Sequence, residues 1–368
     1  MKILIFRIGQ LGDTVVSLPA MWAVRQQFPE AKMSLLSDKH PAQKYAQGAD
    51  LLAGAGLFNE FLEYPVGRGA GASLSRPAQM IGLLATLRKK AFDALVYLAP
   101  SLRTPSQVER DRRFFLAGGI KKFIGMHGFP QFTEKKAGEP LPTLTGEAEL
   151  LLARLAKDGV AVHPHKSPCY DLNLGQTEAS EISKWMQELP SDDDRPWIGI
   201  GPGTKMPAKR WKTDRFAQAG SALIARHGVW PVVFGGAEDR AAGETLLRQW
   251  GCGYNAAGQL GLRASAAALK KCDLYLGNDT GTMHLAAAVG VKCAAIFSSR
   301  DYPGRWYPAG RGHKIFRTQI ECEGCRLTEC LERKNECIER ITVEDVVAGC
   351  DVVLSEKFQR KSVLENRN

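Results

Sequence analysis

The sequence predicts an α/β protein built as two doubly wound domains. Two observations carry this. Apolar β-runs alternate with helical stretches in both halves, and the runs read as continuously apolar, as in strands buried on both faces of a parallel sheet. A third is length: 368 residues, at roughly 150 residues per domain, point to two domains. With 44% hydrophobic and 24% charged residues, composition is that of ordinary globular cores rather than of disorder, collagen or coiled coil.

The first half opens with KILIFR from Lys2, read as a strand, then a helix over about 14–28 closed by Pro29, then KMSLLS from Lys32. AQMIGLLATLRKK from Ala78 reads as helical, DALVYL from Asp93 and KKFIG from Lys121 as strands, and GEAELLLARLAKDG from Gly146 as a helix. Such alternation builds right-handed βαβ units. Near 171–195 the chain turns polar and acidic and ends at Pro196, which places the junction there. The second half restarts with WIGIGPG from Trp197, a helix over about 214–227 and the strand WPVVFGG from Trp230. It continues with the strand DLYLGND from Asp273, a helix beginning near Gly281 and the strand KCAAIF from Lys292. The expected division is a first Rossmann-like domain over 1–172, a linker over 173–195, a second Rossmann-like domain over 196–345, and a terminal helix and tail over 346–368, with a cleft between the domains.

No run reaches the roughly 18 apolar residues that a bilayer crossing needs. Arg7 and Asp13 interrupt the apolar stretch that a secretory leader would require, so a cytoplasmic, uncleaved chain is expected. The formal charge of +10 favours anionic partners: nucleic acid, lipid headgroups or phosphorylated small molecules. Against nucleic acid, no aromatic-rich basic strand or recognition helix is evident. The nine cysteines suit a reducing compartment, with Cys169, Cys252, Cys272 and Cys293 as small, mostly buried residues.

Five motifs carry chemistry or could. RIGQLGD, Arg7 to Asp13, lies at the C-terminal end of the first strand, where open α/β sheets bind ligands. Gly9 and Gly12 permit close backbone approach there, and Asp13 is readable both as a functional carboxylate and as the N-cap of the next helix. The motif is neither a dinucleotide fingerprint nor a P-loop, which disfavours a nicotinamide oxidoreductase. LGNDTGTMHLAAAVG puts Asp279, Thr280, Gly281 and His284 where a strand meets a helix start, a ready anion site suited to a diphosphate. GPGTKMPAKRW brings Thr204, Lys205, Lys209 and Arg210 to a strand end, as phosphate-neutralising donors or as a solvated loop. Cys322, Cys325, Cys330 and Cys337 have spacings open to two readings, a structural Cys₄ zinc or iron site or reduced thiols. The triad at 192–194 contains D-x-D but reads as a solvated linker. Basic residues gather in the first half, including Arg68, Arg76, Arg88, Arg103, Arg110, Arg112 and Arg113, as if for an acidic ligand.

On these residues the sequence resembles the lipopolysaccharide heptosyltransferase family, inverting glycosyltransferases of GT-B architecture. R-I-G-x-L-G-D with L-P-A matches Lys2 to Ala20, and N-D-T-G-x-M-H-L-A-A-A with Asp301 and Arg305-Trp306-Tyr307-Pro308 matches the C-terminal signature. The resemblance implies heptose transfer from ADP-heptose to a phosphorylated or Kdo-bearing lipopolysaccharide inner core, at a peripheral inner-membrane contact and with no cofactor required for catalysis. Asp13 would be the catalytic base. Gly12, Thr204, Lys205, Lys209, Asp279, Thr280, Gly281 and His284 would contact the donor, with Glu238 at its ribose and Leu260 at its adenine. Arg68, Arg88 and Arg103 would meet the acceptor. Lys205 departs from the pattern, standing where a hydroxyl residue is common. Another nucleotide sugar or a protein acceptor is the alternative reading, and a basic nucleic-acid-binding protein a more distant one.

Overall fold

In the computed structural model, residues 1–39, 48–66, 76–131, 135, 139–162, 169–191 and 194–365 are described. The chain divides into two compact units, one of residues 1–133 and 145–173, the other of residues 134–144 and 174–368.

In the first unit, β1 (Lys2–Arg7), β2 (Lys32–Lys39), β3 (Glu60–Pro65), β4 (Ala94–Tyr97) and β5 (Lys122–Ile124) form one parallel sheet in the order β3-β2-β1-β4-β5. Its central strand explains the unbroken apolar run. Leu4 and Phe6 pack with Leu83, Leu87 and Phe115 of the helices Arg76–Lys90 and Pro105–Ala117. Ile3 and Ile5, alternating to the opposite face, are equally buried. The expected single helix over 14–28 is two helices, Leu11–Val16 and Leu18–Gln27. Pro19, in the first turn of the second helix, cannot donate a backbone hydrogen bond to a continuous first one.

The second unit holds a six-stranded parallel sheet of β6 (Trp197–Gly201), β7 (Trp230–Val233), β8 (Tyr254–Asn255), β9 (Cys272–Asn278), β10 (Cys293–Ile296) and β11 (Lys314–Phe316), ordered β11-β10-β9-β6-β7-β8. Gly201 is dictated by β9. A Cβ on it would lie 1.7 Å from the buried Tyr275 hydroxyl, so no larger residue fits between the strand ends. One core joins Ile198, Leu274, Leu276 and Ile296 to Leu223 and to Val346, Val347, Cys350 and Leu354. The terminal helix, Val343–Glu365, is therefore part of the second unit's core rather than an appendage after 346.

Two further boundaries differ from the sequence expectation. Residues 134–144 lie with the second unit, through the Leu144 N–H to Pro303 O bond of 2.8 Å and the Leu141 N–H to Glu323 Oε1 bond of 2.6 Å. The stretch read as a linker contains the helix Gln176–Gln187, fixed by the Arg263–Glu178 ion pair at 2.6 Å. Of the acidic triad, Asp192 and Asp193 lie outside the described residues. Among the described residues, no helix is long and apolar enough to cross a membrane.

Candidate functional site

Asp13 of the first unit sits just past the C-terminal end of β1, on the helix Leu11–Val16. It is not the N-cap. Gln10 takes that position, and the Asp13 carboxylate, three residues on, reaches back to accept the Gln10 backbone N–H at 2.8 Å. Arg7, 1% exposed, places Nη2 3.1 Å from Asp13 Oδ1 while Nε donates to the Asp13 carbonyl at 2.9 Å. The other guanidinium nitrogen donates to Leu98 O at 3.1 Å. Asp13's own side chain stays 22% exposed, so it is held from beneath yet open to solvent.

The turn that allows this is Gly9, whose φ of +129° suits glycine. A Cβ there would meet Asp13 Cγ at 2.6 Å. The Gly9 N–H donates to Asp38 Oδ1 at 3.0 Å, tying the turn to the end of the neighbouring strand. Gly12 is buried on the same short helix, whereas the other residues assigned to the donor belong to the second unit.

In the second unit, the loops after β6, β7, β9 and β10 occupy one sheet edge. Lys209 Nζ is 2.5 Å from Asp279 Oδ2, with the two side chains 15% and 9% exposed. The loop carrying Lys209 is pinned by the fully buried Asn278, which donates to Pro202 O at 2.8 Å and accepts the Trp211 N–H at 3.1 Å. Trp211 is itself buried, edge-on to Phe216 and bonded to Ile341 O at 3.0 Å. Thr204 closes its own turn by accepting the Met206 N–H at 3.2 Å, and Lys205 is exposed beside it.

Thr280 is the N-cap of the helix Gly281–Ala288, extended in backbone and without a side-chain capping bond. The first intrahelical donor is His284 N–H to Thr280 O at 3.3 Å. The N–H groups of Gly281, Thr282 and Met283 thus precede the helix's own ladder, with the positive end of its dipole. Nearby in the fold, after β10, the Ser298 hydroxyl is buried without a partner. His284 is buried at 4% exposure, edge-on to Trp306 at 6.3 Å. Trp306 donates to Asp301 Oδ2 at 3.1 Å and carries the Arg305 guanidinium on its face at 4.6 Å. Hence His284 packs in a wall instead of presenting itself on an open first turn.

Glu238 is exposed on the turn after β7, and Leu260 is half-buried in the loop after β8. The two loops meet through Ala256 N–H to Val233 O at 2.9 Å and Gly258 N–H to Gly235 O at 3.1 Å. Asp239, next to Glu238, accepts the Gly236 N–H at 3.0 Å, and burial raises its carboxyl above the usual range.

Of the arginines assigned to the acceptor, Arg88 and Arg103 are engaged in separate places. Arg68 lies outside the described residues. Arg103 is 14% exposed and paired with Asp111 at 3.0 Å. Arg88 is displaced from the expected ligand edge: it donates to Ala117 O at 2.8 Å, joining the C-terminal ends of two helices. Helices in parallel α/β units run antiparallel to the strands, so their C-terminal ends lie at the opposite edge from Asp13. All nine cysteines are free thiols. Burial raises the Cys322 and Cys337 thiols, and the neighbouring cysteines of the loop raise them further. Among the described residues, no three His, Cys, Asp or Glu side chains are placed to hold a metal ion.

Sequence reasoning missed Arg7, Asp38 and Asn278 as builders of the site. Arg7 and Asn278 stand inside the motifs themselves, but the bonds that matter reach outward, to Leu98 O and to the loop at 202–211.

The profile of the family described as "Glycosyltransferase family 9 (heptosyltransferase)" matches residues 155–336. The chain is 26% identical to lipopolysaccharide heptosyltransferase 2 of Salmonella typhimurium over 371 residues, covering 97% of this chain and 99% of that protein. Among solved structures, the E. coli ADP-heptose lps heptosyltransferase II superposes with a TM-score of 0.65 at 20% identity, over 97% of this chain and 99% of that one. An E. coli heptosyltransferase with ADP superposes equally at 0.65 and 16% identity, over 96% of this chain and 100% of that one. Two parallel-sheet α/β units are common to these structures and to the present one.

Proposed function

We propose, from the premise that the chain belongs to glycosyltransferase family 9 (heptosyltransferase), that it transfers a heptose from ADP-heptose to a lipopolysaccharide inner-core acceptor with inversion at the anomeric carbon. The observation that carries this is the Lys209–Asp279 pair beside the uncapped start of the helix Gly281–Ala288. A cation and three free backbone donors at one strand edge make a diphosphate cradle. Asp279, itself an anion, serves by steering the Lys209 ammonium rather than by meeting phosphate. Thr204 and Lys205 extend the donor set along the next loop. Glu238 and Leu260, brought together by the loops after β7 and β8, receive ribose and adenine.

Asp13 acts as general base. It removes the acceptor hydroxyl proton as that oxygen attacks the anomeric carbon from the face opposite the departing ADP, a contribution of about 10²–10⁴-fold. The C–O bond to the diphosphate breaks, and its charge falls on the Lys209 ammonium and the helix start. The step as written assigns no divalent cation. It requires the carboxylate of one unit and the donor held by the other to meet on the acceptor, with water excluded while they do. A phosphorylated or Kdo-bearing acceptor anchored in a bilayer would make the enzyme a peripheral protein of the cytoplasmic face of the inner membrane.

Calorimetric titration with ADP and with ADP-heptose tests the donor half. Lys209→Ala should weaken ADP binding by about tenfold or more, the loss of one charge-assisted contact. Wild-type affinity in that variant would remove Lys209 from the site.

A further inference from the structure

Tyr275, in the middle of β9, is a residue that packing alone does not require. Its ring lies in a trough of three glycines on one face of the second sheet: Gly199 and Gly201 of β6, and Gly277 of β9. A Cβ on Gly199 would come within 3.1 Å of the ring, and one on Gly277 within 2.6 Å of the hydroxyl. Glycine weakens a strand interior, so three on one stripe mark a place where something must pass close to the backbone. What passes is a phenol, laid along the strands with its oxygen at their C-terminal ends.

The tyrosine is 0% exposed, and among the described residues its hydroxyl has no hydrogen-bond partner. Buried phenols usually find one, because an unpaired hydroxyl out of water is costly. The oxygen lies where the loops after β6 and β9 diverge, one leading to Lys209 and the other to Thr280. Burial, then Cys293, raises the Tyr275 hydroxyl, and Thr280 opposes that rise, so the threonine stands close enough to act on it. Thr280 in turn makes no side-chain capping bond to its own helix. Two hydroxyls, each lacking the bond its position would ordinarily give it, thus stand within reach of each other. They do so at the edge where the helix Gly281–Ala288 offers its first N–H groups.

We propose that Tyr275 is a positioning residue of the donor site: its hydroxyl donates to the Thr280 oxygen and so turns the threonine proton toward the diphosphate. A hydroxyl has one proton and two lone pairs, so accepting from Tyr275 fixes the direction in which Thr280 donates. Polarisation along the two bonds strengthens the outer one. Tyr275 touches neither the donor nor the reacting atoms and acts through Thr280. The assignment rests on the diphosphate reading of the helix Gly281–Ala288.

The test measures ADP affinity, thermal midpoint and transfer kinetics for the full chain and for Y275F, T280V and the double variant. Phenylalanine fits the same trough, so Y275F removes the oxygen alone. It should weaken ADP binding by about fivefold and raise the KM for ADP-heptose by a similar factor. The acceptor KM should stay within about twofold, and the thermal midpoint should be unchanged or higher. T280V should lose at least as much ADP affinity, and adding Y275F to it should change that affinity by less than about twofold. Wild-type ADP affinity in Y275F would overturn the positioning role, and so would a double variant in which the two losses multiply. A lower thermal midpoint in Y275F would show a hydroxyl that braces the fold, and would overturn the role as well. Failure of the wild type to bind ADP would instead overturn the donor reading, and the role of Tyr275 with it.

Discussion

Asp13 is a carboxylate with three constraints on it, and each is a single residue. Arg7 sits beneath it, the Gln10 N–H holds one oxygen, and Gly9 clears the space beside it. Gly9→Ala should be the informative variant. A Cβ at φ +129° is strained and collides with Asp13 Cγ, so transfer should fall by about tenfold or more while ADP affinity, which the proposed mechanism assigns to the other unit, stays unchanged. Equal transfer rates would show that Asp13's placement does not depend on this turn. The motif made Asp13 legible, but not its place in the helix. Aspartate is a common N-cap and also a common acidic residue of the first turn, and only the Gln10 N–H contact decides between them. Lys209 was likewise visible as a cation after a strand end, whereas its pairing with Asp279, seventy residues on, is a tertiary fact.

Elements read from the sequence were those with unbroken apolar runs, because burial on both faces of a parallel sheet demands them. β3 was not, since it is an edge strand whose residues are all half-buried or exposed. The helix Pro105–Ala117 hid behind its arginines and aromatics, and Gln176–Gln187 behind its polarity, each burying only two side chains. The loop at 202–211 depends on one buried amide. Asn278→Ala would leave the Pro202 carbonyl and the Trp211 N–H without their partner, which costs about 1–3 kcal/mol per buried group. Its thermal midpoint should fall, and ADP affinity should fall with it; a normal midpoint with normal ADP affinity would show that the loop holds itself. At the start of β10, His313 accepts the Cys293 N–H on Nδ1 at 3.0 Å and lies 2.7 Å from Ala309 O on Nε2, the neutral tautomer. Burial holds its pKa below the ordinary imidazole value. The unfolded chain then takes the proton first, so His313 contributes stability that is present above about pH 6.5 and lost as pH falls below it. Denaturant unfolding at pH 7.5 and 5.5 should show this loss, and His313→Gln should reduce it; an identical pH slope in the variant would assign the loss elsewhere.

At the scale of the whole molecule, the +10 charge resolves into separate uses. Arg7 and Arg154 are buried structural cations, Arg88 joins two helix ends, Lys209 pairs with Asp279, and Arg76 and Arg110 line a cavity of the first unit. No composition argument could sort these, because each assignment depends on which strand or helix end carries the charge. Two cores are also consistent with donor binding acting on one unit. ADP at about 100 times its Kd should add about 2.7 kcal/mol to the state that binds it, and hydrogen exchange should show the protection in 174–368. Protection confined to 1–133 would place the nucleotide on the wrong unit. Single-turnover transfer from ADP-heptose by Asp13→Asn asks most directly whether a carboxylate on one unit activates an acceptor against a donor held on the other. ADP affinity within about twofold of wild type and transfer slower by about 10²-fold or more is the expected result; transfer at the wild-type rate would leave Asp13 a structural residue and contradict base catalysis there.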